Sequence, residues 1–199
     1  MPTNVALTGL AKDLAARAAS GKPVRIGLVG AGEMGTDIVS RVAHMAGIEI
    51  GAISELKPGA AADFRSDLYV IGAARRSVEI AYGTADRVTE VSGADAANTA
   101  MESGRIAVTD NVAALLDAGL IDVVVDATGI PAVGAEIGLR AMENGKHLVM
   151  MNVEADVTIG LGGRDVDRSR RFLLGRGGRG FGRADAGLRG GLCLVETPV

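Results

Sequence analysis

Two hydrophobic patterns alternate along the first 160 residues of the chain. Short, nearly continuous apolar runs are typical of strands buried on both faces of a parallel sheet, and apolar positions spaced by three and four residues are typical of helices. Five apolar runs occur, and helical patterns separate most of them. The predicted strands cover residues 24–29, 48–54, 106–108, 122–126 and 147–151.

Helical patterns precede the first strand and connect later ones. An opening helix lies within residues 1–22, with Thr3 or Asn4 available as its N-cap. The connecting helices are predicted over residues 33–46, 110–118 and 131–144. Asp110 is predicted to cap the second of these.

Residues 56–104 interrupt the alternation. Helical stretches are predicted near 60–76 and 84–103, and the whole segment is interpreted as a helical insertion after the second strand. The overall pattern predicts an α/β fold, a doubly wound Rossmann-type parallel sheet with strand order 3-2-1-4-5. A ligand of such a sheet lies beyond the carboxyl ends of the strands.

A glycine-rich stretch, VRIGLVGAGEMGTDIV at residues 24–39, joins the first strand to the next helix. Its glycines match the spacing G-x-G-x-x-G of dinucleotide-binding domains, where they permit a tight turn, close approach to a pyrophosphate and close helix packing. The amino end of the helix would hold the phosphates. The predicted cofactor-binding residues are Gly30, Ala31, Gly32, Glu33, Met34 and Gly35. A glycine-rich turn without a ligand is the alternative.

A carboxylate lies twenty residues beyond this motif, at the end of the second predicted strand. Glu55 is positioned to accept hydrogen bonds from the adenosine ribose, which favours NAD and disfavours a 2′-phosphate. Ser54 and Lys57 favour the opposite choice, because a hydroxyl and a nearby cation could receive the phosphate of NADP. NADP and NAD both stay open, and an ordinary solvated carboxylate is the alternative for Glu55.

Composition excludes several function classes. The net charge of -3 and the pI of about 5.4 provide no basic field for nucleic acid or for an acidic membrane surface. The single cysteine excludes an intramolecular disulfide, and no apolar run approaches the roughly 20 residues that span a bilayer. Because the N-terminus lacks the pattern of a signal peptide, a cytoplasmic protein is expected.

The chain changes character after residue 159. Residues 160–191 contain 11 of the 29 glycines and eight arginines but no lysine, a composition typical of a disordered segment. We hypothesise that the chain from about Leu161 onward is frameshifted or misassembled, which translating the other two frames of the source DNA would test. The predicted domains are an N-terminal helix (1–22), an NAD(P)-binding Rossmann domain (23–159, with the insertion at 56–104) and a disordered or aberrant Gly/Arg-rich tail (160–199).

Three stretches carry a family resemblance: GLVGAGEMG, IDVVVDATGIPAVGAEIGLRAMENGKHLVMMNVEADVTIG and the opening helix. Together they resemble the N-terminal domain of the homoserine-dehydrogenase-like oxidoreductases over about residues 4–160. Within that family the chain is most similar to the subgroup that carries an SAF domain and includes the deoxyxylulose-phosphate reductoisomerase-like enzymes. The homoserine dehydrogenases proper place an Asn-Lys pair after the fifth predicted strand. Here Val153 and Glu154 follow Asn152, so the chemistry of those enzymes does not transfer to this chain.

The resemblance implies NAD(P)H-dependent reduction of a small carbonyl substrate, phosphorylated or derived from an amino acid, by a homo-oligomer. In the reductoisomerase-like members it implies a step of isoprenoid biosynthesis. A second, catalytic domain normally follows in such proteins, and the chain is expected to lack it.

The loop after the fourth predicted strand is a second candidate cofactor contact. Ala127, Thr128 and Gly129 are small enough to leave room for the nicotinamide ribose, and an ordinary turn is the alternative. Asp126 is interpreted as a cap of the strand end rather than as a catalytic group.

Beyond the fifth predicted strand, three polar residues are candidates for chemistry. Asn152, Glu154 and Asp156 are predicted to converge there, where a carboxylate could act as acid, base or orienting group. Asn152 and Glu154 are the candidate catalytic residues, and solvated loop residues are the alternative.

The remaining polar residues are interpreted as structural. His44 and His147 lie too far apart in the predicted fold to suggest a metal site, and Cys193 has no assigned role. Arg75 and Arg76 are interpreted as a solvated helix face, with phosphate binding as the alternative.

Three functions fit these observations. The first is the cofactor domain of an NAD(P)H-dependent oxidoreductase, catalytically incomplete as it stands, and the second is a stand-alone dinucleotide-binding or redox-sensing module without catalysis. The third is a single-stranded nucleic-acid contact made by the tail, which has only Phe172 and Phe181 for stacking. An uncovered apolar edge beyond the fifth strand predicts self-association.

Overall fold

The computed structural model describes residues 9–55, 70–153, 172–174 and 193–195. The helices in these residues are α1 (Leu10–Ala19), α2 (Glu33–Val42), α3 (Val70–Tyr82), α4 (Ala94–Glu102), α5 (Val112–Leu116) and α6 (Pro131–Glu143). The strands are β1 (Val24–Val29), β2 (Ile48–Ser54), β3 (Val88–Glu90), β4 (Ile106–Thr109), β5 (Val123–Asp126), β6 (His147–Met150), β7 (Phe172–Leu174) and β8 (Cys193–Val195). None of these helices is long and apolar enough to span a bilayer.

The strands form one sheet in the order β3-β4-β2-β1-β5-β6-β7-β8. Neighbours from β3 to β7 are parallel, and β8 pairs with β7 in the antiparallel direction. The five predicted strands correspond to β4, β2, β1, β5 and β6 in this order, so the Rossmann-type prediction is confirmed. Three further strands extend the sheet at its two edges.

Helices cover both faces of the sheet, and each face has its own apolar cluster. Leu115 of α5 and Ile137 of α6 pack in one cluster, and Val39 of α2 and Val78 of α3 pack in the other. Consecutive residues of β5 alternate between the two clusters. This alternation explains why its first three positions are all valine, as expected for a strand buried on both faces.

The insertion is less helical than predicted. Residues 84–103 contain the strand β3, which pairs with β4, and the helix is confined to α4. The first part of the helix predicted near 60–76 lies outside the described residues, and its described part is the start of α3. Pairing with β4 overrides the local helical pattern here, because a three-residue strand is stabilised by its partner rather than by its own sequence.

Two N-cap predictions have different outcomes. The predicted cap Asp110 is wrong, because Asn111 caps α5 by accepting a hydrogen bond from the Ala113 N–H at 3.1 Å. Thr3 and Asn4 lie outside the described residues. The described part of the opening helix is α1.

Within the tail, the described residues form two short strands, β7 and β8, that extend the sheet beyond β6. Leu148, Val149 and Met150 of β6 lie opposite Phe172, Leu173 and Leu174 of β7. The β6 edge that the sequence left without a neighbour is therefore paired, and the argument for self-association from an open edge at β6 does not hold. Each tail strand is three residues long within a glycine- and arginine-rich segment, too short to produce a recognisable pattern.

Candidate functional site

The carboxyl ends of the three central strands lie side by side. Val29 at the end of β1 is in register with Ser54 of β2 and with Asp126 of β5. The glycine-rich loop, the end of β2 with Glu55 and the loop 127–129 therefore meet at one point of the sheet edge. The glycine-rich loop leads from β1 into α2 on one face of the sheet, and the loop 127–129 leads from β5 into α6 on the opposite face. This is the geometry at which α/β sheets bind ligands.

Gly30 and Gly35 hold the glycine-rich loop closely against its surroundings. Gly30 has φ +95°, and a Cβ there would lie 2.8 Å from the carbonyl oxygen of Ala127. A Cβ on Gly35 would lie 2.1 Å from the carbonyl oxygen of Gly30. The Gly30 N–H donates to the Ser54 carbonyl at 2.8 Å, which ties the loop to the end of β2. Both positions therefore require glycine.

Gly32 differs from these two because it faces open space. A Cβ at Gly32 would meet no atom of the described residues within 4 Å, and among those residues no side chain caps α2 at Gly32, its N-cap. Glu33 and Met34 in the first turn are exposed. The amino end of α2 therefore presents uncapped backbone N–H groups and the positive end of the helix dipole to the outside, an arrangement suited to an anion.

Glu55 is anchored at the base of this loop. Its Oε1 accepts a hydrogen bond from the Ala31 N–H, and its own N–H donates to the Thr109 carbonyl at 3.1 Å. Burial raises the pKa of the Glu55 carboxyl from 4.5 to about 7. Glu55 is thus fixed by hydrogen bonds, unlike a freely solvated carboxylate.

Ser54 lies behind Glu55 and is fully buried, and its Oγ has no hydrogen-bond partner among the described residues. Lys57, the cation considered together with Ser54, lies outside the described residues.

A hydrogen-bonded chain fixes the loop 127–129. Asp126 is fully buried, and its Oδ1 accepts from the Thr128 N–H at 3.0 Å and from the Thr128 hydroxyl at 2.7 Å. Asn152 Nδ2 donates to Thr128 Oγ1 at 3.3 Å and to the Ile130 carbonyl at 2.9 Å. Asp126 therefore shapes the strand end, and Gly129 completes the loop with φ +67°.

Of the two candidate catalytic residues, the structure describes Asn152 alone. Asn152 is 1% exposed, and its amide group is engaged with the loop 127–129. Glu154 and Asp156 lie outside the described residues. The observed contacts of Asn152 are those of a residue that positions the loop.

A cavity of about 420 Å³ adjoins the glycine-rich loop on the α3 side. Its lining includes Ala31 and Thr36 from the loop and α2, and Arg76 and Ser77 from α3. Thr36 Oγ1 and Ser77 Oγ are 2.6 Å apart, and each lies 3.4 Å from the Ala31 carbonyl oxygen. Sequence reasoning missed the hydroxyl pair, since no local pattern relates residues that are 41 positions apart.

The structure separates the two adjacent arginines. Arg75 forms a surface ion pair with Glu90 at 3.0 Å, whereas Arg76 lines the cavity. His44 and His147 are both exposed, and no cluster of potential metal ligands occurs in the described ranges. Cys193 is the first residue of β8.

Comparison with known families places this geometry in context. The chain matches the family model described as homoserine dehydrogenase, NAD binding domain, over residues 30–160, about two thirds of its length. A comparison with curated protein sequences returned no match.

Several solved structures have a similar fold. Myo-inositol dehydrogenase from Lactobacillus casei, in complex with NAD(H) and myo-inositol, has 18% identity and a TM-score of 0.50, over 83% of this chain and 39% of that one. An NAD-binding protein from Listeria innocua has 18% identity and a TM-score of 0.44, over 77% of this chain and 35% of that one. The chain thus spans little more than a third of the length of these proteins, and at this identity the likeness concerns the fold alone.

Proposed function

The chain belongs to the homoserine dehydrogenase NAD-binding domain family, and we propose that its glycine-rich loop holds the pyrophosphate of a nicotinamide dinucleotide. In this proposal the backbone of the loop and of the first turn of α2 binds the phosphates. The residues involved are Gly30, Ala31, Gly32, Glu33, Met34 and Gly35.

The observation that carries the proposal is the open, uncapped helix N-terminus at Gly32 in its place next to Glu55, where the ends of β1, β2 and β5 meet. The N-cap position of α2 has no side-chain cap among the described residues and would leave a Cβ without a neighbour within 4 Å. Gly30 and Gly35 are glycines because the protein fills the space around them, but no contact within the described residues accounts for Gly32. A pyrophosphate against the backbone accounts for it, because it needs the room that a side chain would occupy.

We further propose that Glu55 accepts hydrogen bonds from the adenosine ribose and that Ser54 supports the turn from behind. Glu55 already contacts Ala31 of the glycine-rich loop, so a ribose bound beside that loop comes within its reach. Ala127, Thr128 and Gly129 lie across β1 from Glu55, where the nicotinamide half of the dinucleotide would extend. The bound cofactor supplies or accepts a hydride at this end.

The activity of the whole protein is a wider proposal. We propose an NAD(P)H-dependent oxidoreductase acting on a small carbonyl compound, in a homo-oligomer. Membership of the SAF-domain subgroup, a reductoisomerase-like reaction in isoprenoid biosynthesis, and catalytic roles for Asn152 and Glu154 remain predictions from sequence resemblance. The second candidate function is a binding or redox-sensing module without catalysis, which the ordering of tail strands β7 and β8 on the sheet favours.

The binding proposal is tested by titrating NADH into the wild type and into Gly32→Asp, with NADH fluorescence as the readout. Aspartate is a good N-cap, so Gly32→Asp should fold normally while its carboxylate repels the pyrophosphate and weakens NADH binding about tenfold or more. Gly93→Asp is the matched control, because Gly93 is the N-cap of α4, lies outside the loop and likewise has no described atom within 4 Å of a Cβ. Equal NADH affinity for both variants and the wild type would contradict the proposal.

A further inference from the structure

A second, smaller cavity lies at the edge of the sheet opposite the glycine-rich loop. Its volume is about 60 Å³, and its lining includes Glu49 near the amino end of β2 and Ile106 at the amino end of β4. The glycine-rich loop follows the carboxyl end of β1, and β2 runs parallel to both β1 and β4. The length of the strands therefore separates this cavity from the proposed dinucleotide site.

Two arginines and a tyrosine supply hydrogen-bond donors to the cavity. The Arg87 guanidinium lies over the Tyr82 ring, 4.9 Å from its centroid, and makes no hydrogen bond with the described residues. Arg105 is held in place because its Nη2 donates to the Val88 carbonyl at 2.7 Å and its Nε donates to Thr89 Oγ1. Its Nη1 group makes no bond to the described residues, so both guanidinium groups have N–H donors available for a ligand.

The hydroxyl of Tyr82 is a third available donor. Burial raises the pKa of Tyr82 above its usual value, so the hydroxyl keeps its proton at neutral pH. Glu49 is the only acidic residue among the described residues of the lining, and its Oε1 accepts from Arg25 Nε at 2.8 Å. Because Arg25 offsets the charge of Glu49, the two cavity arginines are left without a counter-ion in the described part of the chain.

The charge and size of the cavity fit a tetrahedral oxyanion. The helices α3 and α4 end beside it, and each carboxyl end carries about half a negative charge, which the two guanidinium groups exceed. One water molecule needs about 10–15 Å³ of cavity volume, so 60 Å³ holds about four oxygen-sized positions, as many as phosphate has oxygens. Guanidinium groups bind phosphate oxygens through charge-assisted hydrogen bonds.

We propose that this cavity, which we call the anion pocket, binds a phosphate group through Arg87, Arg105 and the Tyr82 hydroxyl, as a second ligand site of the domain. The ligand supplies the acceptors that these donors lack. Both arginines are exposed, so the pocket is open to a free phosphate ion and to the phosphate of a larger molecule. The site is independent of the dinucleotide, because it lies at the opposite edge of the sheet.

The first test is a titration of ¹⁵N-labelled protein with sodium phosphate, with sodium chloride keeping the ionic strength constant. We expect saturable amide shifts at Ile50, Gly51, Gly104 and Arg105. The amino end of α2 is a separate place for an anion, so the titration is repeated in Gly32→Asp, where the shifts at the anion pocket should be unchanged. Tighter binding of glycerol 3-phosphate than of inorganic phosphate would identify a phosphate ester as the ligand, and the reverse order would identify the free ion. Either order supports the pocket.

Substitutions then test the donors. Arg87→Gln should weaken phosphate binding about tenfold or more, because a charged hydrogen-bond donor is lost. Tyr82→Phe keeps the ring beneath Arg87 and removes only the hydroxyl, so it should weaken binding about threefold or more. Arg75→Gln is the matched control, because Arg75 is an exposed arginine that pairs with Glu90 outside the pocket, and it should change nothing. Circular dichroism checks that all three variants fold.

The results also separate this proposal from the dinucleotide site. Absence of phosphate-induced shifts at the anion pocket, equal shifts with chloride, or an affinity in Arg87→Gln equal to that of the wild type would overturn the pocket. Shifts confined to residues 32–35 and lost in Gly32→Asp would overturn it too, while supporting an anion site at α2. NADH affinity should be the same in Arg87→Gln and the wild type, and a parallel loss of NADH and phosphate binding would contradict two independent sites.

Discussion

Replacement of Gly35 by alanine tests whether the glycine-rich loop is packed as described. The added Cβ would lie 2.1 Å from the Gly30 carbonyl oxygen, more than 1 Å inside the roughly 3.3 Å at which carbon and oxygen atoms ordinarily touch. The obstacle is backbone, so no side chain can rotate away. Overpacking of this kind costs about 1–3 kcal/mol, which exceeds the 0.5–1 kcal/mol or so that alanine gains over glycine in a helix.

The expected result is a loss of about 2 kcal/mol in the free energy of unfolding, measured by urea denaturation. For a chain of this size that loss corresponds to a Tm lower by about 4–8 °C. Gly72→Ala is the matched control, because Gly72 is likewise the third residue of its helix but a Cβ there has no neighbour within 4 Å in the described part of the chain. It should be stabilised by up to about 1 kcal/mol. Stability in Gly35→Ala equal to or above that of the wild type would refute the packing argument.

Three further substitutions test the polar groups around the site. In the wild type, the free energy of unfolding should decrease as pH rises from about 4.5 to 7, because the folded Glu55 carboxyl with its raised pKa holds a proton that the unfolded chain has released. Glu55→Gln should remove this decrease. Urea titrations of both proteins at pH 5 and 8 check this, and an unchanged pH dependence in the variant would contradict it. Asp126→Ala should lower the free energy of unfolding by about 2–4 kcal/mol, because it leaves the Thr128 N–H and hydroxyl without their acceptor. Asp126→Asn is the control and should lose less. Equal losses in a urea titration would argue against a role of these hydrogen bonds. Lys146→Met should lose about 1–3 kcal/mol, because buried Nζ donates to the Ala118 and Ile121 carbonyls at 2.6 and 3.0 Å, and a thermal midpoint equal to that of the wild type would contradict this.

Sequence patterns were sufficient for the central sheet and the glycine-rich loop. The run of valines in β5 and the strand before Gly30 are strong local signals, because burial on both faces demands apolar residues at every position. The glycine spacing also located the loop, since Gly30 and Gly35 serve backbone contacts that no other residue type permits.

The elements that the sequence did not predict depend on partners that are distant along the chain. β3 and β7 are three-residue strands held by pairing with β4 and β6. Arg76 reads as a surface residue of a helix, and only the packing of α3 beside α2 places it near Ala31. Ser54 follows from the strand pattern only in its place at a strand end, since its full burial depends on the neighbouring strands.

The central claim is that a dinucleotide binds at the amino end of α2, and amide NMR with ¹⁵N-labelled protein tests it most directly. On titration with NADH, the account predicts saturable shifts that are largest at the amides of Gly32, Glu33, Met34 and Gly35, with smaller ones at 127–129. The amides of α4 should serve as the internal reference, because that helix lies outside the proposed site. Absence of any shift, or shifts concentrated at α4 with none at residues 32–35, would contradict the account.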